Sequence, residues 1–247
     1  MKYELTNESM INTAGKRLFR IKALVDIEEY GVKAGDLGGW IEKEDNLSQS
    51  GNAWIFGEAK VYDEAEVFGD AKVYGNAKVS GDAWVYGSAK VSSNAWVYGS
   101  AKVYGDAWVS GDAWVYGSAK VSGSACVYGD AEVSGDAEVS GSACVYGDAE
   151  VSGDAEVSGD AWVYGSADVS GDADYAVIKG FGTEYRPTTF FRCRDGEARV
   201  TCGCFYGTIA EFREQVKQTR NGKVADEYLK IADLMEYHFK EDGGING

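Results

Sequence analysis

The chain is poor in proline and in the residues that move protons near neutrality. It has one proline and one histidine, His238, in 247 residues. A lone imidazole cannot build the His-rich sites of zinc hydration enzymes, and it leaves few groups that titrate close to pH 7 for general-base work. No uninterrupted apolar run approaches the roughly 20 residues a membrane helix needs. The opening MKYELTNESM has no basic, apolar leader, and the five cysteines are therefore expected to be reduced thiols in a cytoplasmic protein. Lys and Arg are absent from Gly123 to Ala176, which hold twelve Asp or Glu. The whole chain carries a formal charge of −16. That balance argues against direct nucleic-acid binding and for solubility or a basic partner.

What the chain has instead is a repeat. From Gly51 to Ala176, 126 residues read as 21 hexads without insertion or deletion, as in GDAKVY, GNAKVS and GDAWVY. Ala at the third position and Val at the fifth share one side of a short strand, and the residue between them points away. Gly followed by Asp, Asn or Ser supplies the turn. So narrow an apolar face cannot bury itself, but stacked coils form a continuous core. Residues 123–140 and 141–158 are identical, which points to an 18-residue coil that was duplicated whole. Seven coils would span roughly 33 Å at about 4.8 Å each.

The V-x-G-x-A-x phrase resembles the left-handed parallel β-helix of the hexapeptide-repeat superfamily, in which three hexads make one triangular coil. The stretch Val32–Ile55 (VKAGDLGGWIEKEDNLSQSGNAWI) resembles the lead-in of bacterial and prophage proteins described as hexapeptide acetyltransferases or polymer-forming proteins. The resemblance implies a mainly β fold with a left-handed β-helix of about seven coils. It also raises an acyl-CoA-dependent transferase acting at a subunit interface. Acyltransferases of that superfamily typically place a His between subunits and loop a segment out of the coils. Residues 51–176 contain neither a His nor an insertion. They also lack the Thr ladders of ice-binding solenoids. A non-enzymatic chain without a cofactor is expected, with a transferase using a non-His site as the alternative.

Three units are expected: an N-terminal β cap over 1–50, the solenoid over 51–176 and a small α+β module over 177–247. KYEL and KRLFRIKALVDI read as strands around an Asn12–Gly15 turn. In the last unit, Asp195-Gly196 between alternating runs marks a hairpin. Thr208-Ile209-Ala210-Glu211 is a capping box opening a helix to about Thr219. Asn221-Gly222 breaks it, and Ala225–Phe239 reads as a second helix, for a β-β-α-α module. FFRCRDGEARVTCGCFYGTIAEF resembles a short domain at the ends of Gram-positive prophage proteins of unknown activity.

Function must then lie on the outward positions. Residues 18 apart stack, so Glu132, Glu150 and Asp168 form one acidic ladder and Glu138, Glu156 and Asp174 another. Like charges about 5 Å apart cost on the order of 1 kcal/mol in water. The acidic half is thus either a solvated face or a docking surface for a basic protein partner. Calcium is disfavoured, because the glycine-rich nonapeptide that binds it is missing. Trp96, Tyr98, Trp114 and Tyr116 are expected to form one outward patch, and Tyr128, Tyr146 and Tyr164 a column beside Trp162. Such patches fit a homo-oligomer interface or simple cross-strand stacking, and Trp and Tyr also stack on sugars. Cys126 and Cys144 fall on adjacent rungs, where a disulfide is sterically open, but a thiol ladder left by the duplication is expected. Cys193, Cys202 and Cys204 are weak zinc candidates, since C-x8-C-x-C lacks paired CxxC knuckles, and buried structural thiols are the favoured reading.

Overall fold

The computed structural model describes residues 1–240. Strands of two residues, or four at Cys126–Gly129, Cys144–Gly147 and Trp162–Gly165, recur every six residues from Trp54–Ile55 to Asp168–Val169. Each up to Glu150–Val151 pairs in parallel with the strand 18 residues on, as in Lys60 with Lys78 and Trp96 with Trp114. The result is a parallel β-solenoid of about seven turns with three sheets as its sides. Every inward Ala from Ala53 to Ala167, and Ile55 and every inward Val from Val61 to Val169, has no exposed surface. The interior is one cluster running the length of the coils.

The corners explain the glycines. Gly111 sits at φ 75°, and a Cβ there would lie 2.7 Å from the backbone of Gly129 in the next coil. Only a residue without a side chain accepts that approach together with a left-handed backbone at no cost. Asp63 and Ser93 hold the same conformation at φ 60°, so two corners carry the strain that the others avoid.

Backbone N–H groups at the second, fourth and sixth hexad positions bond toward the later coil. The N–H of residue i donates to the carbonyl of residue i+17, as from Lys60 to Ala77 and from Trp96 to Ala113. The first coil therefore leaves mainly carbonyls open and the last coil mainly N–H groups. At the open carbonyl end, the Nζ of Lys2 donates to the Ala53 carbonyl at 2.7 Å. Trp40 N–H serves Ala59, Glu42 N–H serves Val61 and Ser48 N–H serves Val67. Asn46, wholly buried, donates from Nδ2 to Asp63 and Ala65 and accepts at Oδ1 from Glu42 and Lys43 N–H. Buried backbone groups must find partners, and residues 1–50 provide them.

Residues 1–50 also extend a side of the solenoid. Tyr3–Ile11 and Arg17–Ala23 form the expected antiparallel hairpin. Arg17–Ala23 pairs with Leu37–Ile41, which runs parallel to the Lys60 rung, giving one ten-stranded sheet. Trp54, expected on the outward side of the first coil, is instead 1% exposed, because Tyr3 packs edge-on against it at 6.3 Å.

The last hexad leaves the solenoid. Residues Asp172–Asp174 form a single 3-10 turn, and Tyr175–Ile178 joins an antiparallel sheet with Thr188–Arg192, Ala198–Cys202 and Phe205–Thr208. The module is thus four strands and two helices, not a hairpin and two helices. The missed strands flank the Asp195-Gly196 hairpin on either side. Helix α1 (Ile209–Thr219) has the expected box, with Thr208 Oγ1 accepting from Glu211 N–H and Glu211 accepting from Thr208 N–H. Helix α2 covers Gly222–Phe239. Alternation along Thr188–Arg192 joins two cores. Phe191 packs into the solenoid interior, and Phe190 packs under the helices. No helix among the described residues is long and apolar enough to cross a membrane.

Candidate partner-binding faces

The outward positions fall into register as the spacing requires. Trp96, Tyr98, Trp114 and Tyr116 form a continuous patch, with Trp96 and Tyr98 rings 4.7 Å apart and Tyr98 stacked on Tyr116 at 4.9 Å. Tyr128, Tyr146 and Tyr164 stack at 4.8 and 4.6 Å. The column continues onto Tyr206 of the C-terminal sheet at 4.6 Å. Burial, reinforced by its neighbours Tyr164 and Tyr128, holds the Tyr146 phenol well above its ordinary range. The column is therefore uncharged at neutral pH. A third stack, Phe68–Tyr86–Tyr104 at 4.9 and 5.0 Å, was not singled out from the sequence. Its signal was the same 18-residue spacing.

A second geometry was not legible from the 18-residue period. Outward residue i also meets residue i+16, diagonally across adjacent coils. Trp96 donates from its indole to Ser80 Oγ, and Trp108 to Ser92 Oγ, each at 3.1 Å. Tyr116 donates to Glu132 at 3.2 Å. Where both residues are aromatic, the contact is edge-on, as between Tyr146 and Trp162 at 6.4 Å. Lysines complete this network, with Lys78 over Trp96 and Lys102 over Trp84. Part of each aromatic face is thus engaged within the chain. Trp84, Trp108, Trp114, Tyr128 and Trp162 remain exposed.

The acidic ladder is in register, with Glu132 beside Glu150, Glu150 beside Asp168 and Glu138 beside Glu156. Cations reach it from outside the acidic coils. Lys120 pairs with Glu138, and Arg194 of the C-terminal hairpin lies 3.6 Å from Glu150 and donates to the Asp148 carbonyl. Asp174 does not stack on Glu156. Its carboxylate accepts from Ser170 and Gly171 N–H and pairs with Arg192 at 3.0 Å. Burial opposes its charge, but these donors prevail and hold its pKa below the usual value. Asp174 thus finishes the coil end instead of facing a partner.

Cys126 and Cys144 are joined in a disulfide, in place of the expected thiol ladder. Register sets their Cα atoms 4.7 Å apart, within the range that a bridge spans. Cys193 is buried at the solenoid end, where burial raises its thiol pKa. Cys202 takes a hydrogen bond from Thr188, and Cys204 is exposed. Among the described residues, no group of three or more His, Cys, Asp or Glu is arranged to hold a metal. His238 reaches the Ala173 carbonyl at 3.1 Å, tying α2 to the last turn.

These features define a β-solenoid with aromatic and acidic faces and finished ends. Residues 71–87 match a family model described as YdcK Beta solenoid repeat. The match covers one coil of the solenoid. No curated protein matches the chain.

Proposed function

We propose that this chain is a non-catalytic scaffold that works by binding a protein with a basic surface. The observation that carries the reading is the in-register acid ladder Glu132–Glu150–Asp168, beside Glu138–Glu156, on coils that hold no Lys or Arg of their own. Like charges directly opposite on parallel rungs are unfavourable, and a cationic partner relieves them. Resemblance to hexapeptide-repeat and prophage proteins supports the finer parts of the proposal. These are a left-handed coil built of three hexads, a phage or prophage source, and a role in occupying or sequestering a host factor. The exposed tryptophans support a homo-oligomer, read directly by light-scattering mass at low and high salt.

The test is charge reversal of Glu132, Glu138, Glu150 and Glu156 to Lys. Partner affinity should fall by at least about tenfold, with most of the loss in the association rate. An unchanged affinity would sink the proposal. Saturable acetyl-CoA binding in calorimetry would favour a transferase instead.

A further inference from the structure

A cavity of about 340 Å³ opens where the last coil meets the C-terminal sheet. Asp160, Trp162, Arg186, Pro187, Thr189 and Thr201 line it. Its volume falls at the lower end of the range for small-molecule sites, enough for one or two rings. Trp162 is 47% exposed, yet its backbone is held on both sides. Thr189 Oγ1 accepts from its N–H at 3.1 Å, and Thr201 donates to its carbonyl at 3.3 Å. Both threonines are buried, and Tyr146 supports the indole edge-on. The indole is therefore a fixed platform with an open side.

The charges around it cancel. Asp160 pairs with Lys179, and Arg186 lies 3.9 Å from Glu184, too far for a strong bond. An anion would meet Asp160 and a cation would meet Arg186, so the balance selects a neutral ligand carrying both donors and acceptors. A single aromatic wall further selects a ligand with one apolar face and a polar rim. A pyranose ring has this form, with its C–H face set on the indole and its hydroxyls directed to the carboxylate and guanidinium. We propose that this cavity is a binding site for a neutral saccharide, distinct from the acidic ladder.

The experiment is a saturation-transfer NMR titration of the full chain with the methyl glycosides of glucose, galactose and mannose and with N-acetylglucosamine. Acetate and adenosine serve as the anionic and planar-base comparisons. At least one saccharide should saturate, with a dissociation constant on the order of millimolar. Arg186→Ala lies in an exposed loop and should weaken it about tenfold without altering the fold, as anchoring Arg and Trp side chains do elsewhere. Trp162→Ala should abolish it. Saturation by none of the saccharides would overturn the proposal. So would binding indifferent to Arg186→Ala, or tighter binding of adenosine or acetate than of any sugar.

Discussion

The two ends of the solenoid are finished with opposite chemistry. Because the N–H groups at the second, fourth and sixth hexad positions donate to a later coil, the first coil presents mainly acceptors and the last mainly donors. The N-terminal end is closed by donors, chiefly Lys2 Nζ, Asn46 Nδ2 and the N–H groups of Trp40, Glu42 and Ser48. The C-terminal end is closed chiefly by side-chain oxygens, although Thr201 donates to the Trp162 carbonyl. Asp172 accepts from Glu156 N–H, Thr189 from Trp162 N–H and Asp174 from Ser170 N–H. An uncapped β end is a template for pairing with another chain. Each flanking segment is therefore matched in hydrogen-bond polarity to the coil it meets, and the two could not be exchanged.

The largest loss of stability at either end is expected at Asn46. It alone satisfies four backbone groups. Asn46→Ala should cost about 3 kcal/mol, since each buried group left unpaired costs on the order of 1–3 kcal/mol. Denaturant titration gives the size. Hydrogen exchange should show the loss confined to the first coils, because solenoid coils couple mainly to their neighbours. An even loss of protection along all seven coils would mean that the end is not a separate structural feature.

Thr189→Val is the matching change at the other end and should be smaller. It removes one acceptor, that of the Trp162 N–H, while keeping the shape of the side chain. A cost of about 1–2 kcal/mol is expected, with faster exchange at Trp162. A larger cost than that of Asn46→Ala would reverse the ranking of the two ends.

The coils themselves were legible in the sequence because a strict period writes the pairing register directly. Glu132 beside Glu150 and Trp96 beside Trp114 follow from counting 18. The diagonal contacts, such as Trp108 to Ser92, depend on how side chains lean between coils, and a period does not record lean. The ends were least legible. Trp54 and Asp174 belong to outward positions by count, yet one is covered by Tyr3 and the other is drawn into a turn by Ser170 and Arg192. Residues distant in sequence decide both. The same limit hid the cavity beside Trp162, whose walls come from segments with different periods.

The two ends should also respond to pH in separate ranges, because one relies on a lysine and the other on a carboxylate. Burial outweighs the attraction of Asp70 and lowers the Lys2 pKa from 10.5 to about 8. Between those values the unfolded chain binds the extra proton and the folded chain does not, so stability should rise with pH across that window. Tyr3 limits it. Burial raises its phenol above the ordinary 10.0, so the folded state keeps a proton that the unfolded state loses, and stability falls again beyond that point. The clear rise is thus from about pH 8 to about pH 10. At the other end, the depressed pKa of Asp174 contributes stability above its unfolded value of 3.8, which is lost as pH falls through the lower folded value. Protection factors, with the intrinsic pH dependence of exchange divided out, should therefore rise at the first coils on the alkaline side and fall at the last coil on the acid side. Lys2→Met should flatten the alkaline rise and leave the acid limb unchanged. If Lys2→Met altered the acid limb instead, the two ends would not be independent.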